Sequence, residues 1–231
     1  MPRIATLLSH LARVLGSASQ AHTEARWLRQ HSPRSFPDNL RKRTQGWPLQ
    51  YLLGSQPFGP LDILTRPPTL IPRPETEYWT LQLAEALRGR ASQDTPLRIL
   101  DLCTGTACIP LLLCASLPPC SISAYAIDIS HQAVELARDN IVRCGYSDLS
   151  GGNTVRADRL DMFSDNFCQS LRQTEPTWEP YDVLTSNPPY IPRDEYDKLS
   201  HTVRDFEDPL ALLGEHPGST TGELDSLNRV W

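Results

Sequence analysis

The 231-residue sequence contains no apolar run near the roughly eighteen residues that a membrane helix requires, and neither an internal repeat nor a low-complexity tract. No membrane association is therefore expected. Its six cysteines (Cys103, Cys108, Cys114, Cys120, Cys144, Cys168) form no Cys-x-x-Cys pair and have no His-x-x-x-His nearby. That excludes the common zinc frameworks, so no metal is expected, and reduced buried thiols in an intracellular protein are the remaining reading. Two glycine signatures are also missing. There is no Gly-x-Gly-x-x-Gly for a dinucleotide and no Gly-x-x-x-x-Gly-Lys for a phosphate cradle, since Gly105 is followed two residues later by Ala107.

What is present is uneven. Residues 1–45 hold eight Lys/Arg against Glu24 and Asp38, whereas the rest carries 14 basic and 25 acidic residues. So acidic a body is a poor general phosphate binder, while the basic head can meet an RNA-associated or acidic partner or simply form a solvated helical surface. The first twenty residues lack any acid and contain Arg3, Arg13 and several serines, as mitochondrial presequences and ordinary basic helices both do.

Ile4, Leu7, Leu8, Leu11, Val14 and Leu15 recur at helical spacing before Gly16, and a second helix fits Gln20–Gln30. Two such helices bury little alone and are expected to lean on a larger unit. From Ser32 to Pro74 nine prolines crowd the chain, which predicts extended segments and turns. Arg73, between Pro72 and Pro74, can hold that rigid turn by pairing with a carboxylate. Glu75 and Glu77 then stand where a helix N-terminus favours acids, or where a ligand would be met.

Two strand–loop–helix units follow. Leu97–Leu102 runs into the small-residue loop Cys103–Cys108 and the apolar run Ile109–Leu113, with Pro110 tolerated in the first helical turn. Ile122–Asp128 leads to Ser130 as N-cap and a helix ending at Gly145. Asp128 lies 23 residues beyond Gly105, the interval at which an acid closes the second strand and takes a ribose hydroxyl pair. A third unit starts at Thr154–Ala157 and reaches Met162 and Phe163, which can serve as core or cover an adenine ring.

The apolar run Tyr181–Ser186 predicts a buried strand with Asn187-Pro188-Pro189-Tyr190 at its carboxyl end, where open α/β sheets bind ligands. Two prolines fix the backbone and remove two donors. The Asn187 side-chain oxygen and the Pro188 carbonyl are then two acceptors suited to a planar –NH2 group, with Tyr190 as a flat face. The other reading is a simple turn. A ribose-binding acid without a pyrophosphate loop suggests a nucleoside cofactor, S-adenosylmethionine, and beside an amine clamp it suggests methyl transfer to nitrogen.

Here the sequence resembles the HemK/PrmC family, methyltransferases of the glutamine in the Gly-Gly-Gln tripeptide of peptide-chain release factors. The resemblance runs from about Thr23 to about Leu213. It rests on Pro48–Gly54, Ile71–Glu77, Asp101–Ala107, Asp128-Ile129-Ser130, Asn187–Ile191 and Phe206-Glu207-Asp208-Pro209 in the family's order, with Ala25–Leu28 similar to its helical head. It departs where Cys103 and Ala107 replace the usual glycines. The resemblance implies an α/β, Rossmann-like class I S-adenosylmethionine-dependent methyltransferase core behind a small N-terminal helical lobe. Residues 1–45 would form that substrate-recognition lobe, 46–80 a Pro-rich connection and 81–231 the methyltransferase domain.

It further implies cofactor contacts from Asp101, Cys103, Thr104, Gly105, Thr106, Ala107, Asp128, Met162 and Asn187. The amide would be held by Asn187, Pro188, Pro189 and Tyr190, with Asn187, Pro188 and Tyr190 acting in catalysis. The expected partner is a release factor, with no direct nucleic-acid contact and a monomeric enzyme, in the mitochondrial matrix or alternatively the cytoplasm. After Leu213 the sequence turns to Gly214–Gly222 and stops at Trp231 where the family begins another helix, so the core is expected to be incomplete there, with an exposed sheet edge. Two other readings stay open: an amino-group adenine methyltransferase of DNA or RNA, and a non-catalytic remnant.

Overall fold

The structure is a computed structural model that describes residues 4–148, 151–174 and 180–214. Helices α1 (Ile4–Leu15) and α2 (Ala18–His31) meet at Gly16, whose φ of +66° suits a residue without Cβ, and the Ser17 hydroxyl caps α2 by accepting from Gln20 N at 3.2 Å. Leu11, Leu28 and Leu40 are fully buried in a cluster of their own with Leu49 and Leu52 from the chain that follows the lobe. Inside it, Arg43 donates to Glu24 at 2.7 Å and to the Trp47 carbonyl at 3.2 Å, which ties α2 to the chain leaving the lobe.

One expectation is corrected here. The proline-crowded stretch after Ser32 is largely helical, with a 3-10 turn Pro33–Ser35, α3 (Phe36–Thr44) and α4 (Leu49–Leu53). Pro33 and Pro37 both fall in a first helical turn, where the missing N–H has no partner to lose. Extended chain begins only with the antiparallel hairpin β1 (Ser55–Phe58) and β2 (Leu61–Leu64). Helix α5 (Pro74–Leu87) then opens at the acids noted above.

The main sheet is parallel, in the order β5-β4-β3-β6, from β3 (Leu97–Leu102), β4 (Ile122–Asp128), β5 (Thr154–Arg159) and β6 (Val183–Ser186). Crossovers run through α6 (Cys108–Ser116), α7 (His131–Cys144) and α8 (Phe167–Thr174). Period-two alternation divides the strands between two cores. Ile99, Ala124, Ala126, Val155 and Ala157 pack with α5, α6 and α7, while Leu100, Leu102, Tyr125 and Ile127 pack with Leu171 of α8. This is the Rossmann-like α/β core expected.

Strand order reverses between β3 and β6, because the chain steps from β3 to β4 to β5 on one side and then returns to the other. Among the described residues β6 pairs only with β3, and its Leu184 is 49% exposed. The expected turn at Gly214–Gly222 lies beyond Gly214 outside the described residues. Short helices α9 (Arg193–Tyr196) and α10 (His201–Arg204) lead to the segment 205–214.

Candidate functional site

Strand register sets the site. Leu102 of β3 is level with Ile127 of β4 on one side and Ser186 of β6 on the other, so Cys103, Asp128 and Asn187 emerge side by side at the carboxyl ends. That is the crevice at the strand-order reversal, where open α/β sheets take ligands. Three segments singled out in the sequence, far apart along the chain, are thus brought to one place.

The loop after β3 is tightly framed. Asp101 is fully buried, and its two oxygens accept from the Thr104 hydroxyl at 2.5 Å and the Thr185 hydroxyl at 2.7 Å. Burial pushes its carboxyl up to about 7, against the opposing effect of those two donors. Thr104 N donates to Ile127 O at 3.0 Å, and Asn140 of α7 joins the loop to β2 by donating to Thr106 O at 3.1 Å and Leu64 O at 3.2 Å while accepting from Leu64 N at 2.7 Å. Thr104, Thr106 and Ala107 are buried, so Cys103 and Gly105 are the loop residues that reach the crevice surface.

Asp128 faces that surface from β4. Its oxygens accept from Gly105 N and Ser130 N, each at 2.9 Å, so the carboxylate fixes the loop and retains lone pairs for a hydroxyl pair. Burial raises its carboxyl, the Ser130 and Gly105 amides lower it, and the charge of Asp208 raises it further. Cys103 sits at φ +54° and Ala107 at φ +61°, the region that favours glycine. Burial pushes the Cys103 thiol up to about 12, so it stays protonated.

The segment Asn187–Tyr190, expected to act as a clamp, is more open. Asn187, Pro188 and Pro189 are half-buried, and Tyr190 is 74% exposed. No hydrogen bond engages the Asn187 side chain among the described residues, which leaves its amide oxygen available. Ser186 Oγ, just before it, is buried without a partner of hydrogen-bond geometry, although its dipole favours ionisation of the neighbouring Cys103 thiol. The Ser186 hydroxyl on β6 and the half-open Gly105, where an added Cβ would meet nothing within 4 Å, suit a polar ligand in this crevice. Met162 packs against the core on the α8 face, whereas Phe163, read as core or ring cover, is 54% exposed at the end of β5 and is not core.

Sequence reasoning missed the supporting residues. Thr185, Asn140 and Ser186 are polar side chains inside otherwise apolar elements, and that is the signal that could have found them. It also left the partner of Arg73 unnamed. The structure gives Glu207, both of whose oxygens accept from Arg73 Nη2 at 2.8 Å.

No family model matches the chain. Among curated proteins it is 35% identical to "Mitochondrial MRF1 N(5)-glutamine methyltransferase MTQ1" of Saccharomyces cerevisiae, an alignment covering 93% of this chain and 69% of that protein. It is 33% identical to a release factor glutamine methyltransferase of Rhodopirellula baltica (80% of this chain, 57% of that protein). The human "MTRF1L release factor glutamine methyltransferase" is 32% identical (90% of this chain, 60% of that protein). The chain thus spans between 57% and 69% of the length of these relatives.

Proposed function

This chain belongs to the release factor glutamine methyltransferase family, and from that premise we propose that it transfers a methyl group from S-adenosylmethionine to the side-chain nitrogen of the glutamine in a release factor's Gly-Gly-Gln tripeptide. The observation that carries the reading is the alignment of Cys103, Asp128 and Asn187 at three neighbouring strand ends. It would give a nucleoside-holding acid and an amide clamp one shared crevice.

The cofactor supplies an electrophilic methyl group on a sulfonium. Asp128, already fixed by two backbone amides, would take the ribose hydroxyls, with Cys103, Gly105 and Ser186 lining the space between β4 and β6. Asp101, Thr104, Thr106 and Ala107 would hold the loop's shape from below, and Met162 would support the adenine side from the α8 core.

Amide nitrogen is a poor nucleophile because its lone pair is delocalised into the carbonyl. Asn187 Oδ1 and the Pro188 carbonyl would accept its two hydrogens, orient the nitrogen in line with the methyl group and stabilise the positive charge that develops there. Pro189 keeps that corner rigid, and Tyr190 offers an exposed ring to the glutamine stem. A methylated amide nitrogen loses its proton readily, so no strong base is required.

The basic helical lobe, residues 1–45 joined through 46–80 to the domain 81–231, is the surface proposed to meet the release factor. Action in the mitochondrion is supported by the Saccharomyces cerevisiae relative, described as mitochondrial, and a fluorescent fusion tests it. A monomer is proposed, which light scattering checks. The defining experiment incubates the full chain with methyl-labelled cofactor and either a Gly-Gly-Gln release factor or an adenine-containing oligonucleotide. Label on the glutamine alone is expected, and label on adenine would overturn the reading.

A further inference from the structure

Three stretches that the proposed chemistry leaves unused, Pro48–Gly54, Ile71–Glu77 and Phe206–Pro209, converge on one ion pair. Glu207 is almost wholly inaccessible, with its side chain 1% exposed, and it accepts twice from Arg73 and once from Ile71 N at 3.3 Å. Asp208 N donates to Pro68 O at 2.8 Å, and Tyr51, whose hydroxyl donates to Thr69 O at 2.7 Å, closes the same cluster. Trp47 lies against Phe206 with ring centroids 4.9 Å apart. Residues 205–214 are therefore anchored to the loop before α5 and to the chain leaving the helical lobe.

The far end of this segment touches the clamp. Ile191, next after Tyr190, forms a parallel bridge with Leu213, donating from its N to Leu212 O at 2.9 Å and accepting at its O from Gly214 N at 3.1 Å. Gly214 is so close that an added Cβ would lie 3.2 Å from the Tyr190 Cα and 3.4 Å from the Pro189 O. Among the described residues no hydrogen bond holds the Asn187 side chain. Among the described residues, the backbone ladder that braces its segment from outside β6 runs through residues 212–214, which the Arg73–Glu207 pair anchors.

We propose that Arg73 and Glu207 are positioning residues for the amide clamp, acting through residues 205–214 as a strap that sets where the carbonyls of Asn187–Tyr190 point. The inference rests on the methyl-transfer reading for its catalytic consequence, but its geometric content stands apart. A buried carboxylate satisfied by an arginine and a backbone amide stays fixed, whereas a neutral isostere weakens every bond in the cluster. A small displacement of the clamp is enough to cost rate, because the reacting nitrogen must stay aligned.

Hydrogen exchange and kinetics on the full chain test this with Glu207→Gln, Arg73→Ala and Arg73→Lys. In Glu207→Gln and Arg73→Ala the amides of Ile191 and Gly214 should exchange roughly tenfold faster while those of Leu100 and Ala126 in β3 and β4 do not change. Methyl transfer to the release factor should fall roughly tenfold or more in kcat, with the Kd for S-adenosylhomocysteine within about twofold of the parent. Arg73→Lys, which keeps a single charged contact, should lie between. Unchanged protection at Ile191 and Gly214, or equal loosening across β3 and β4, would overturn the inference. If the parent chain itself transfers no methyl group to the release factor, the proposed function fails while the exchange result still decides the strap.

Discussion

The proposed cofactor side and the proposed clamp side of the crevice are built in opposite ways. Asp101, Thr104, Asp128 and the backbone of the Cys103–Ala107 loop bond to one another, and the buried Asn140 pins that loop to β2. Asn187–Tyr190 is half-open, its side chains make no such bonds among the described residues, and it leans on chain that arrives from residues 205–214. The difference follows from the ligands each is proposed to meet. A small diffusible cofactor rewards a cradle preformed at low entropic cost, whereas a protein tripeptide must be admitted from outside.

If the two sides are that separable, mutations should divide cleanly between affinity and turnover. The largest effect belongs to Asn187→Ala, which should lower the single-turnover methylation rate by about 10²–10³ with the calorimetric Kd for S-adenosylhomocysteine changed less than about threefold. Equal loss of both would merge the two sides into one. Asp128→Ala should do the reverse, raising that Kd about a hundredfold, some 2–3 kcal/mol, because it removes the proposed hydroxyl acceptor and the tether to the Gly105 and Ser130 amides. Retained affinity would remove Asp128 from the ligand's surroundings.

The pH dependence of stability sharpens the contrast further. Burial raises Asp101 from 3.8 to about 7, so across that window the native state holds a proton that the unfolded chain has released. Stability contributed by the protonated form is complete below about pH 4 and is lost as pH rises toward 7. Asp101→Asn should flatten this decline by on the order of 1–2 kcal/mol in urea unfolding measured across that range. A slope identical to the parent would assign the decline to Asp128 and Glu207, which burial raises in the same sense. The smallest effect is expected at the strained loop residue. Cys103→Gly should stabilise by about 0.5 kcal/mol in the same assay, because glycine adopts φ +54° without steric penalty and the lost thiol packing offsets part of the gain.

Legibility in the sequence divided instead between local signals and long-range partners. The cradle was readable because its parts are local: Leu97–Leu102, Ile122–Asp128 and the interval from Gly105 to Asp128 obey strand and crossover periodicities that leave marks within thirty residues. Ser130 as N-cap and Gly145 as helix stop were readable for that reason too. The residues that fix the cradle were not, because Thr185 reaches Asp101 from 84 positions away and Asn140 reaches Leu64 from 76. Arg73 was recognisable as half of an ion pair, but Glu207 lies 134 residues further on among other acids. Helix α3 and the 3-10 turn before it were hidden for a different reason: proline marks a turn and a first helical turn with the same letter.

The two sides are proposed to share one ligand pair across β3, and a crystal structure of the chain with S-adenosylhomocysteine and a Gly-Gly-Gln peptide measures that directly. We predict the ribose hydroxyls on Asp128, the glutamine –NH2 between Asn187 Oδ1 and the Pro188 carbonyl, and the sulfur facing that nitrogen. A nucleoside bound away from Asp128, or clamp oxygens turned out of the crevice, would contradict it.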